Sequence, residues 1–561
     1  MRIPSKIVVL VLLSLVAARP ALAAPADAKM AEGVVATESP LAAAAGAGIL
    51  AAGGSAVDAV IATALAVCTV HPSSCGIGGG GFLVVWDAAK AEAYALDFRE
   101  RAPAATREAL YEEDGTYLPA RSRRGGLAIG IPGEIRGYAA AHARFGRLPW
   151  ADLFAPAIAL ARDGFPVSEH LAKRIAAVQE ALAADPSLAA VFLDKDGAAL
   201  PAGTTLKRPA LARTFARIAT EGDSAFYDGP IADAIVAAAG ARGSVLTKAD
   251  LADYEPLWRA PLRTKYRSAE IATMPPPSSG GIALITALDT LRGYDMAAVG
   301  AASPSRWHLL AEILKHSFAY RAQAAGDPGW DMPVWPPRGR ALRDRIRSYE
   351  TLPADAYKPV APPPNDSGTA HVSIIAGDGS GAALTSTINT TFGSLVGVPG
   401  TGIILNNEMD DFTFDAPNLF GLAPGPTNRI APGKRPASSM TPTLAIRDGR
   451  AVVAVGASGG PLIISATIQT LTNILDHNMS PEAAVAAPRV HHQWMPNLLL
   501  VEPGISEADR DALRILGHKI RQIKAIAAVS LATAHSDGSA SGAGDARKGG
   551  AAMTVPARAA P

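Results

Sequence analysis

The sequence predicts a mixed α/β protein in which helical and strand-like segments alternate. Helical patterns dominate from 133 to 218, whereas the pattern after residue 368 changes to short strands separated by glycine turns. Between these regions, Leu352–Gly368 is rich in proline and indicates an exposed, irregular connection. No repeat of about 20–50 residues is visible. The 561 residues are therefore compatible with several domains or with one large layered unit.

The N-terminus has the layout of a secretory signal peptide. Two basic residues, Arg2 and Lys6, precede an apolar run at 7–18, and a small-x-small site follows at 21–23. The run is shorter than the roughly 20 residues that a transmembrane helix needs. We expect residues 1–23 to be removed and the mature chain to be exported, periplasmic or secreted, with no stable membrane span. An uncleaved anchor is the alternative.

Composition favours a small substrate over a polyelectrolyte. Hydrophobic residues make up 49% of the chain, which is enough for a sizeable core. The 52 lysines and arginines nearly balance the 51 aspartates and glutamates, so no overall field attracts nucleic acid or an anionic membrane. We therefore expect no nucleic-acid partner.

The cysteines and histidines do not form a metal-binding pattern. Cys68 and Cys75 are too few for a disulfide scaffold or a four-cysteine metal site. An oxidising compartment would permit a bond between them, and two buried free thiols are the alternative. The histidines, apart from the pair at 491–492, are scattered. We expect neither a metal nor a cofactor.

A glycine-rich segment near the N-terminus lies between a predicted helix and a predicted strand, which is the reverse of the order in a dinucleotide-binding site. Ser55 is a candidate N-cap with Asp58 three residues later, ahead of an apolar run typical of a helix. The segment 76–81 satisfies G-x-G-x-x-G, and strand-like patterns follow at 82–86 and 91–98. A dinucleotide-binding loop must leave a strand and begin a helix. A tight glycine turn is the better interpretation.

The region after residue 368 predicts a hairpin with polar residues at its open end. Two strand-like segments flank a glycine-rich turn, and a hairpin centred near Gly379 pairs Thr369 with Asn389 and His371 with Thr387. Strand alternation places Thr387 and Asn389 on one face. Two hydroxyl groups and an amide would then cluster beside Thr369.

A second hairpin is predicted around the Asp-Gly turn at 448–449. Its register pairs Ser439 with Ser458 and Ser438 with Gly459. For any one of these polar residues taken alone, turn chemistry or a solvated strand edge is the simpler explanation. Two independent hairpins that each bring polar groups to an open end favour a site.

The backbone after the second hairpin is suited to binding an anion. Gly459 and Gly460 have no side chains to cover their N–H groups, and a helix is predicted to begin near Pro461. Backbone N–H groups of this kind stabilise an oxyanion.

Together these residues resemble the γ-glutamyltransferases (γ-glutamyl transpeptidase / glutathione hydrolase) of the N-terminal nucleophile hydrolase superfamily. The resemblance runs from about Thr37 to Gly550, and order and spacing agree throughout. It is carried by these motifs: Ala43–Asp58, Cys75–Phe82, Asp97–Glu100, Met274–Gly281, Thr369–Ser373, Asn406–Phe412, Pro436–Met440 and Gly456–Gly460.

The resemblance implies a four-layer αββα fold and a precursor that cuts itself between Gly368 and Thr369. The cut would leave a large subunit, 24–368, and a small catalytic subunit, 369–561. It also implies that the Thr369 hydroxyl is the nucleophile and that the freed α-amine is its base, since the reference pKa of such an amine is about 7.7–8.0.

The same resemblance implies how the other residues contribute. Thr387 would support the nucleophile, and the N–H groups of Gly459 and Gly460 would stabilise the oxyanion. Arg99 would bind the substrate α-carboxylate, a task suited to a bidentate guanidinium. Its hydroxyl partners would be Ser438 and Ser439, and the α-ammonium would go to Asp411, with Glu408 and Asn389.

The implied activity is cleavage of the γ-glutamyl amide of glutathione and related compounds through an ester on Thr369. The ester would pass to water or to an amino acid or dipeptide. The stretch Asp415–Arg429 resembles the family's lid loop, but it carries Phe420 where some bacterial members have tyrosine, and the two cysteines are not general in the family. A cephalosporin or glutaryl acylase on the same scaffold is the nearest alternative, and a non-catalytic binding protein is another.

Overall fold

A computed structural model of the chain describes residues 32–324, 326–327, 339–353, 368–415, 418, 422 and 425–557. The predicted signal peptide, most of the proline-rich connection and Phe420 lie outside the described residues.

The strands are numbered in chain order. They are β1 Gly33–Thr37, β2 Gly80–Asp87, β3 Glu92–Phe98, β4 Glu112–Glu113, β5 Thr116–Tyr117, β6 Phe165–Pro166, β7 Thr205–Leu206, β8 Leu257–Arg259, β9 Leu262–Tyr266, β10 Ala269–Thr273, β11 Gly368–Ile375, β12 Gly381–Asn389, β13 Gly397–Val398, β14 Ile403–Ile404, β15 Thr443–Arg447, β16 Arg450–Ser458, β17 Val490–His491, β18 Leu499–Val501, β19 Ile520–Gln522, β20 Ala528–Ala534, β21 Ala540–Gly544 and β22 Ala551–Val555.

The α-helices are numbered in the same way. They are α1 Pro40–Ala51, α2 Ala56–Val70, α3 Pro119–Arg123, α4 Glu134–Phe145, α5 Trp150–Asp163, α6 Glu169–Ala177, α7 Gln179–Ala183, α8 Pro186–Phe192, α9 Pro209–Glu221, α10 Ser224–Tyr227, α11 Pro230–Gly240, α12 Lys248–Ala252, α13 Ser279–Leu291, α14 Met296–Val299, α15 Pro304–Ala324, α16 Gly339–Arg343, α17 Leu462–His477, α18 Pro481–Ala486 and α19 Glu507–Ile515.

Two stacked sheets form the centre of the molecule. The first sheet has the strand order β22-β1-β11-β12-β2-β3-β8, and the second has the order β21-β20-β16-β15-β10-β9. Strands β11 and β12 of the first sheet pack against β16 of the second. Helices α1 and α2 cover the outer face of the first sheet, and α13 and α17 cover that of the second. This arrangement confirms the four-layer αββα fold.

Local signals in the sequence explain why the first outer layer forms. Ser55 caps α2 by accepting the Asp58 N–H at 3.0 Å, while the Asp58 carboxylate accepts the Ser55 N–H at 2.9 Å. Every residue of α2 is buried, because the helix lies between the first sheet and α5. The glycine segment 76–81 follows α2 and leads into β2, as predicted. A strand, and not a helix, therefore follows this segment.

The predicted register of the first hairpin is wrong by two residues. Thr369 pairs with Thr387 rather than Asn389, and His371 pairs with Thr385 rather than Thr387. The turn is centred one residue earlier than predicted, since the Asp378 carboxylate accepts the Ser380 N–H at 2.9 Å. An irregularity at the first residue of β11 leaves Asn389 opposite Gly368. A two-residue shift preserves the faces of the strand, so the polar cluster beside Thr369 still forms.

The second hairpin begins as predicted and then departs from prediction. Arg447 pairs with Arg450 next to the turn, but an irregularity in the ladder moves the pairing by one residue. Pairing stops at Thr443, because Pro442 has no N–H to donate. The predicted pairs of Ser439 with Ser458 and of Ser438 with Gly459 are therefore wrong. Ser438 instead bridges to Ser278.

Cys68 and Cys75 are joined by a disulfide that closes a short loop after α2. Residue Ser73 in this loop accepts the Phe392 N–H through its carbonyl at 3.2 Å, and Gly368 passes directly above the same carbonyl. The loop therefore supports the start of β11.

Within the described ranges, no helix combines the length and apolarity needed to cross a membrane.

We expect the Cys68→Ser/Cys75→Ser variant to lose about 2–3 kcal/mol of unfolding free energy, because the closed loop restricts the unfolded chain. Urea denaturation measures this change. A thiol reductant should lower the stability of the wild-type protein and leave the variant unchanged. Equal stability of the two oxidised proteins would contradict a stabilising role.

Candidate active site

A pocket at the open end of the β11–β12 hairpin brings together most of the predicted site residues. Its walls combine hydroxyl, amide, carboxylate and guanidinium groups with a few apolar side chains. The lining residues are Arg99, Arg321, Thr369, Thr387, Asn389, Glu408, Asp411, Asn418, Leu422, Ala437, Ser438, Ser439, Met440, Gly460 and Ile463. Of the predicted catalytic, substrate-binding and cleavage-site residues, Gly368 and Gly459 lie outside this lining.

The carbonyl of Gly368 accepts a hydrogen bond from the side chain of Thr387, the residue that pairs with Thr369 in the β11–β12 ladder. Thr387 donates its hydroxyl hydrogen bond to the Gly368 oxygen at 2.5 Å, and the Asn389 N–H donates to the Thr387 hydroxyl oxygen at 2.8 Å. Both threonines are buried. The N–H of Asn389 thus orients the Thr387 hydroxyl towards the one carbonyl that precedes Thr369.

Gly459 and Gly460 adopt backbone conformations that other residues rarely tolerate. Their φ angles are +141° and +57°. A Cβ atom on Gly459 would come within 2.9 Å of the Ala527 Cα, so the strand fits there only without a side chain. Gly460 lines the pocket, and α17 begins two residues later at Leu462 as predicted.

Arg99 is the centre of a buried charge cluster, not a surface ion pair. It follows β3 directly, and its guanidinium donates to the carboxylates of Glu408 and Asp411. It also donates to the Ala437 carbonyl at 3.0 Å and to the Pro436 carbonyl at 3.3 Å. Arg99 is 1% exposed, so its charge depends on these partners.

The cluster shifts the proton affinity of each member. Burial lowers the pKa of Arg99, but the carboxylates of Glu408, Asp411 and Glu100 outweigh this effect and raise it above its ordinary value. Burial raises the pKa of both Glu408 and Asp411, and the attraction of Arg99 opposes that rise. The guanidinium therefore favours the charged form of both carboxylates, while burial keeps the pKa of each above its ordinary value.

A fixed loop presents these carboxylates. Asn406 donates to the carbonyls of Gly78 and Gly130 at 2.8 Å, and its side-chain oxygen accepts the Glu408 N–H at 3.0 Å. The carbonyl of Asp411 accepts side-chain N–H groups from Asn418 and Asn428. These bonds tie the acidic loop to the turn before β2 and to the next segment of chain.

Arg321 is a pocket residue that the sequence reasoning missed. It lies on α15, is 2% exposed, and donates to the Ser279 hydroxyl at 2.6 Å and to the Ser439 hydroxyl at 2.5 Å. Ser438 is held differently, through its backbone bonds to Pro277 and Ser279. The only sequence signal for Arg321 was a charged residue inside a helix whose neighbours are largely apolar.

Lys548 is a second residue that was missed. Its ammonium group donates to the carbonyl oxygen of Thr369 at 2.5 Å and forms an ion pair with Glu38 at 2.6 Å. No motif singled out either residue, and they are separated by most of the chain. Strand pairing places both of them next to β11.

A cluster of residues whose side chains commonly bind metals lies outside the pocket. The spacing of these residues in the sequence did not indicate it. His308, Glu312 and His518 have ligand atoms within 4.8 Å of one another. These atoms already bond within the protein: the two imidazoles are linked at 2.8 Å, and Glu312 forms an ion pair with Lys315 at 2.8 Å. The arrangement is that of a buried polar network.

Comparison with known proteins identifies a family of similar sequences. The Gamma-glutamyltranspeptidase family model matches residues 42–555. A glutathione hydrolase proenzyme of Escherichia coli (strain K12) is 36% identical over 526 residues, which cover 92% of this chain and 90% of that protein. The Acylase ACY 1 proenzyme of Pseudomonas sp. (strain SE83) is 37% identical over 534 residues, which cover 93% of each.

Among solved structures, a cephalosporin acylase from Bacillus halodurans aligns with a TM-score of 0.80 and 27% identity, covering 97% of this chain and 99% of that one. The two stacked sheets, together with this alignment, identify the N-terminal nucleophile hydrolase fold. Within that fold, the chain belongs to the gamma-glutamyltranspeptidase family.

We expect Arg99→Met to destabilise the protein by about 3–5 kcal/mol at pH 8, because Glu408 and Asp411 would be buried without a counter-charge. Their pKa values in the folded variant would lie above the unfolded values of about 4. The variant's stability should therefore be best preserved at low pH and be lost as the pH rises.

Urea denaturation at pH 5 and pH 8 measures this dependence. Arg217→Met is the control, since Arg217 forms an exposed pair with Glu221 and should change stability by less than about 1 kcal/mol. A loss for Arg99→Met that is the same at both pH values would contradict the account of the cluster.

Proposed function

We propose that the protein is an autoprocessed γ-glutamyltransferase that cleaves the γ-glutamyl amide of glutathione and related compounds. The observation that carries the proposal is the bond from the Thr387 hydroxyl to the Gly368 carbonyl at 2.5 Å, directly before Thr369. The same pocket holds a buried arginine between two carboxylates, which is suited to an amino-acid zwitterion.

The first reaction of the site is proposed to be cleavage of its own chain. The Thr369 hydroxyl attacks the Gly368 carbonyl carbon, and the Thr387 hydroxyl stabilises the negative charge that develops on the oxygen. The Gly368–Thr369 amide bond breaks, the threonine nitrogen takes a proton, and an ester remains. Water hydrolyses that ester, which leaves a large subunit, 24–368, and a small subunit, 369–561.

The second reaction uses the same hydroxyl on a substrate. The freed α-amine of Thr369 takes the hydroxyl proton as the oxygen attacks the γ-amide carbonyl, and that proton passes to the leaving amine. The N–H groups of Gly459 and Gly460 are proposed to stabilise the oxyanion. The γ-glutamyl ester is then released to water or to an amino acid or dipeptide acceptor. None of these steps requires a metal or a cofactor.

The charge cluster explains the preference for a γ-glutamyl group. In the structure, the Arg99 guanidinium is paired with the carboxylates of Glu408 and Asp411. A substrate brings both charges at once, so its carboxylate can take the guanidinium and its ammonium can take the carboxylates and Asn389. Ser438 and Ser439 would add hydroxyl donors to the carboxylate, and Arg321 holds Ser439 in place.

Cleavage of acyl side chains from β-lactams is the second candidate function, because an acylase and a cephalosporin acylase are among the similar proteins. A glutaryl side chain carries a carboxylate but no α-ammonium. It would leave the buried carboxylates of Glu408 and Asp411 without a cation if it displaced Arg99 from them. The cluster therefore favours the γ-glutamyl substrate.

Export is proposed from the basic, apolar and small-residue pattern of residues 1–23, which predicts a periplasmic or secreted enzyme. A bond between Cys68 and Cys75 is compatible with such an oxidising compartment.

We expect Thr387→Val to slow self-cleavage by about 10²–10³-fold, because the Gly368 oxyanion loses its hydroxyl donor. Thr387→Ser keeps the hydroxyl and should cleave at a rate within about tenfold of wild type. Denaturing electrophoresis over time after expression measures the rate. Thr369→Ala should remain one band, and two bands in that variant would rule out Thr369 as the attacking residue.

We expect Asp411→Asn to raise the KM for γ-glutamyl-p-nitroanilide by at least about tenfold, since a charge-assisted hydrogen bond to the ammonium is lost. The KM for a glutaryl anilide should change by less than about threefold. Steady-state kinetics on both substrates give the comparison. A wild-type enzyme that prefers the glutaryl compound would support the acylase function instead.

A further inference from the structure

Lys548 contacts the backbone of Thr369 but is not among the residues that line the pocket. It ends the short 3-10 helix Ala546–Lys548 between β21 and β22, and it is buried with 8% of its surface exposed. Strand β22 pairs with β1, and β1 pairs with β11. The fold thus carries a lysine from near the C-terminus to the first residues of β11.

The ammonium group of Lys548 makes two hydrogen bonds and one ion pair. It contacts the Thr369 carbonyl oxygen at 2.5 Å, the Ser458 hydroxyl at 3.2 Å and the Glu38 carboxylate at 2.6 Å. Glu38 follows β1 directly, and its other carboxylate oxygen accepts the His371 N–H at 3.3 Å. A buried ammonium with three acceptors is fixed in one place.

The two neutral contacts of Lys548 lie on different sheets. Thr369 is on β11 of the first sheet, and Ser458 ends β16 of the second sheet, immediately before Gly459. Lys548 therefore joins the residue that carries the nucleophile to the segment that carries the proposed oxyanion donors.

We propose that Lys548, anchored by Glu38, is a positioning residue that keeps Thr369 and the Gly459–Gly460 segment in one geometry. The inference rests on the proposed function, in which the bond from Gly368 to Thr369 is cut. Before the cut, the chain holds Thr369 on both sides. Afterwards its N-terminal side is free, and the Thr369 carbonyl is held through Lys548.

The position of Lys548 also has an electrostatic consequence. A positive charge beside Thr369 disfavours a second positive charge on the freed α-amine, and so favours the neutral form that acts as a base. Burial lowers the pKa of Lys548 and raises that of Glu38, while their mutual attraction opposes both shifts. The attraction between Lys548 and Glu38 therefore favours the charged form of both groups against the effect of burial.

Other charged and titratable groups also lie near Thr369 and Lys548 and contribute to the electrostatic field in this region. Two arginines and two carboxylates line the pocket. Further groups interact electrostatically with Lys548. These residues are Arg99, Arg321, Glu408, Asp411, His71, His170 and Arg174. Burial lowers the pKa of His71 to about 3, so this imidazole is neutral near pH 7.

The test is the kinetics of Lys548→Met and Lys548→Arg on γ-glutamyl-p-nitroanilide as a function of pH. For Lys548→Met we expect kcat to fall at least about tenfold, because Thr369 is less well aligned. KM should change by less than about twofold. The acid limb of the kcat/KM profile should move up by about one pH unit, since the amine is more readily protonated. Lys548→Arg should keep the wild-type limb.

Lys315→Met is the matched control, because Lys315 is also buried and paired with a glutamate, Glu312, at 2.8 Å. It should lower stability without moving the pH profile. A Lys548→Met profile that coincides with wild type, or one that Lys315→Met reproduces, would overturn the inference.

Ser458→Ala provides a second test that retains the ion pair, for the case in which Lys548→Met does not fold. It should lower kcat with KM unchanged, and wild-type kcat would overturn the link to the Gly459–Gly460 segment. Failure of the proposed function has a different signature: a wild-type protein that stays one band and releases no p-nitroaniline.

Discussion

The site depends on the antiparallel pairing of β11 with β12, two strands that are buried along their whole length. Because side chains alternate along a strand, a slip of one residue would turn Thr369 and Thr387 away from their partners. Helix α2 packs on one face of this pair and β16 packs on the other. A slip of one residue would therefore disrupt the packing on both faces. The sandwich that stabilises the protein is therefore also what places the nucleophile beside the Gly368 carbonyl.

Around this pair, the site is held together by buried charges that satisfy one another. Arg99 lies between Glu408 and Asp411 at the pocket, and Lys548 pairs with Glu38 behind Thr369. Buried charges are costly unless they are paired. In the proposed function, a zwitterionic substrate exchanges charges with the first cluster, whereas the second cluster holds Thr369 in position. The same kind of interaction would then serve recognition in one place and alignment in another.

Much of the site could be predicted from the sequence because its signals are local. The Asp-Gly turn, the Ser55 cap and the glycines before α17 each act over a few residues, and the structure follows them. The register of the first hairpin was predicted wrongly at the turn itself, which is centred one residue earlier than expected. The register of the second hairpin was predicted wrongly beyond the turn, where the ladder contains an irregularity. Arg321 and Lys548 were missed because their partners, Ser439 and Thr369, are far away in the chain and no motif links them.

The central claim is that Thr369 forms a covalent γ-glutamyl ester during the reaction. Rapid acid quenching of the processed enzyme with γ-glutamyl-p-nitroanilide, followed by mass spectrometry of the small subunit, tests it directly. We predict that the small subunit gains the mass of one γ-glutamyl group, that fragmentation places it on Thr369, and that it disappears when an acceptor amino acid is added. An acyl group on another residue, or full turnover with no acyl group on Thr369, would contradict the account.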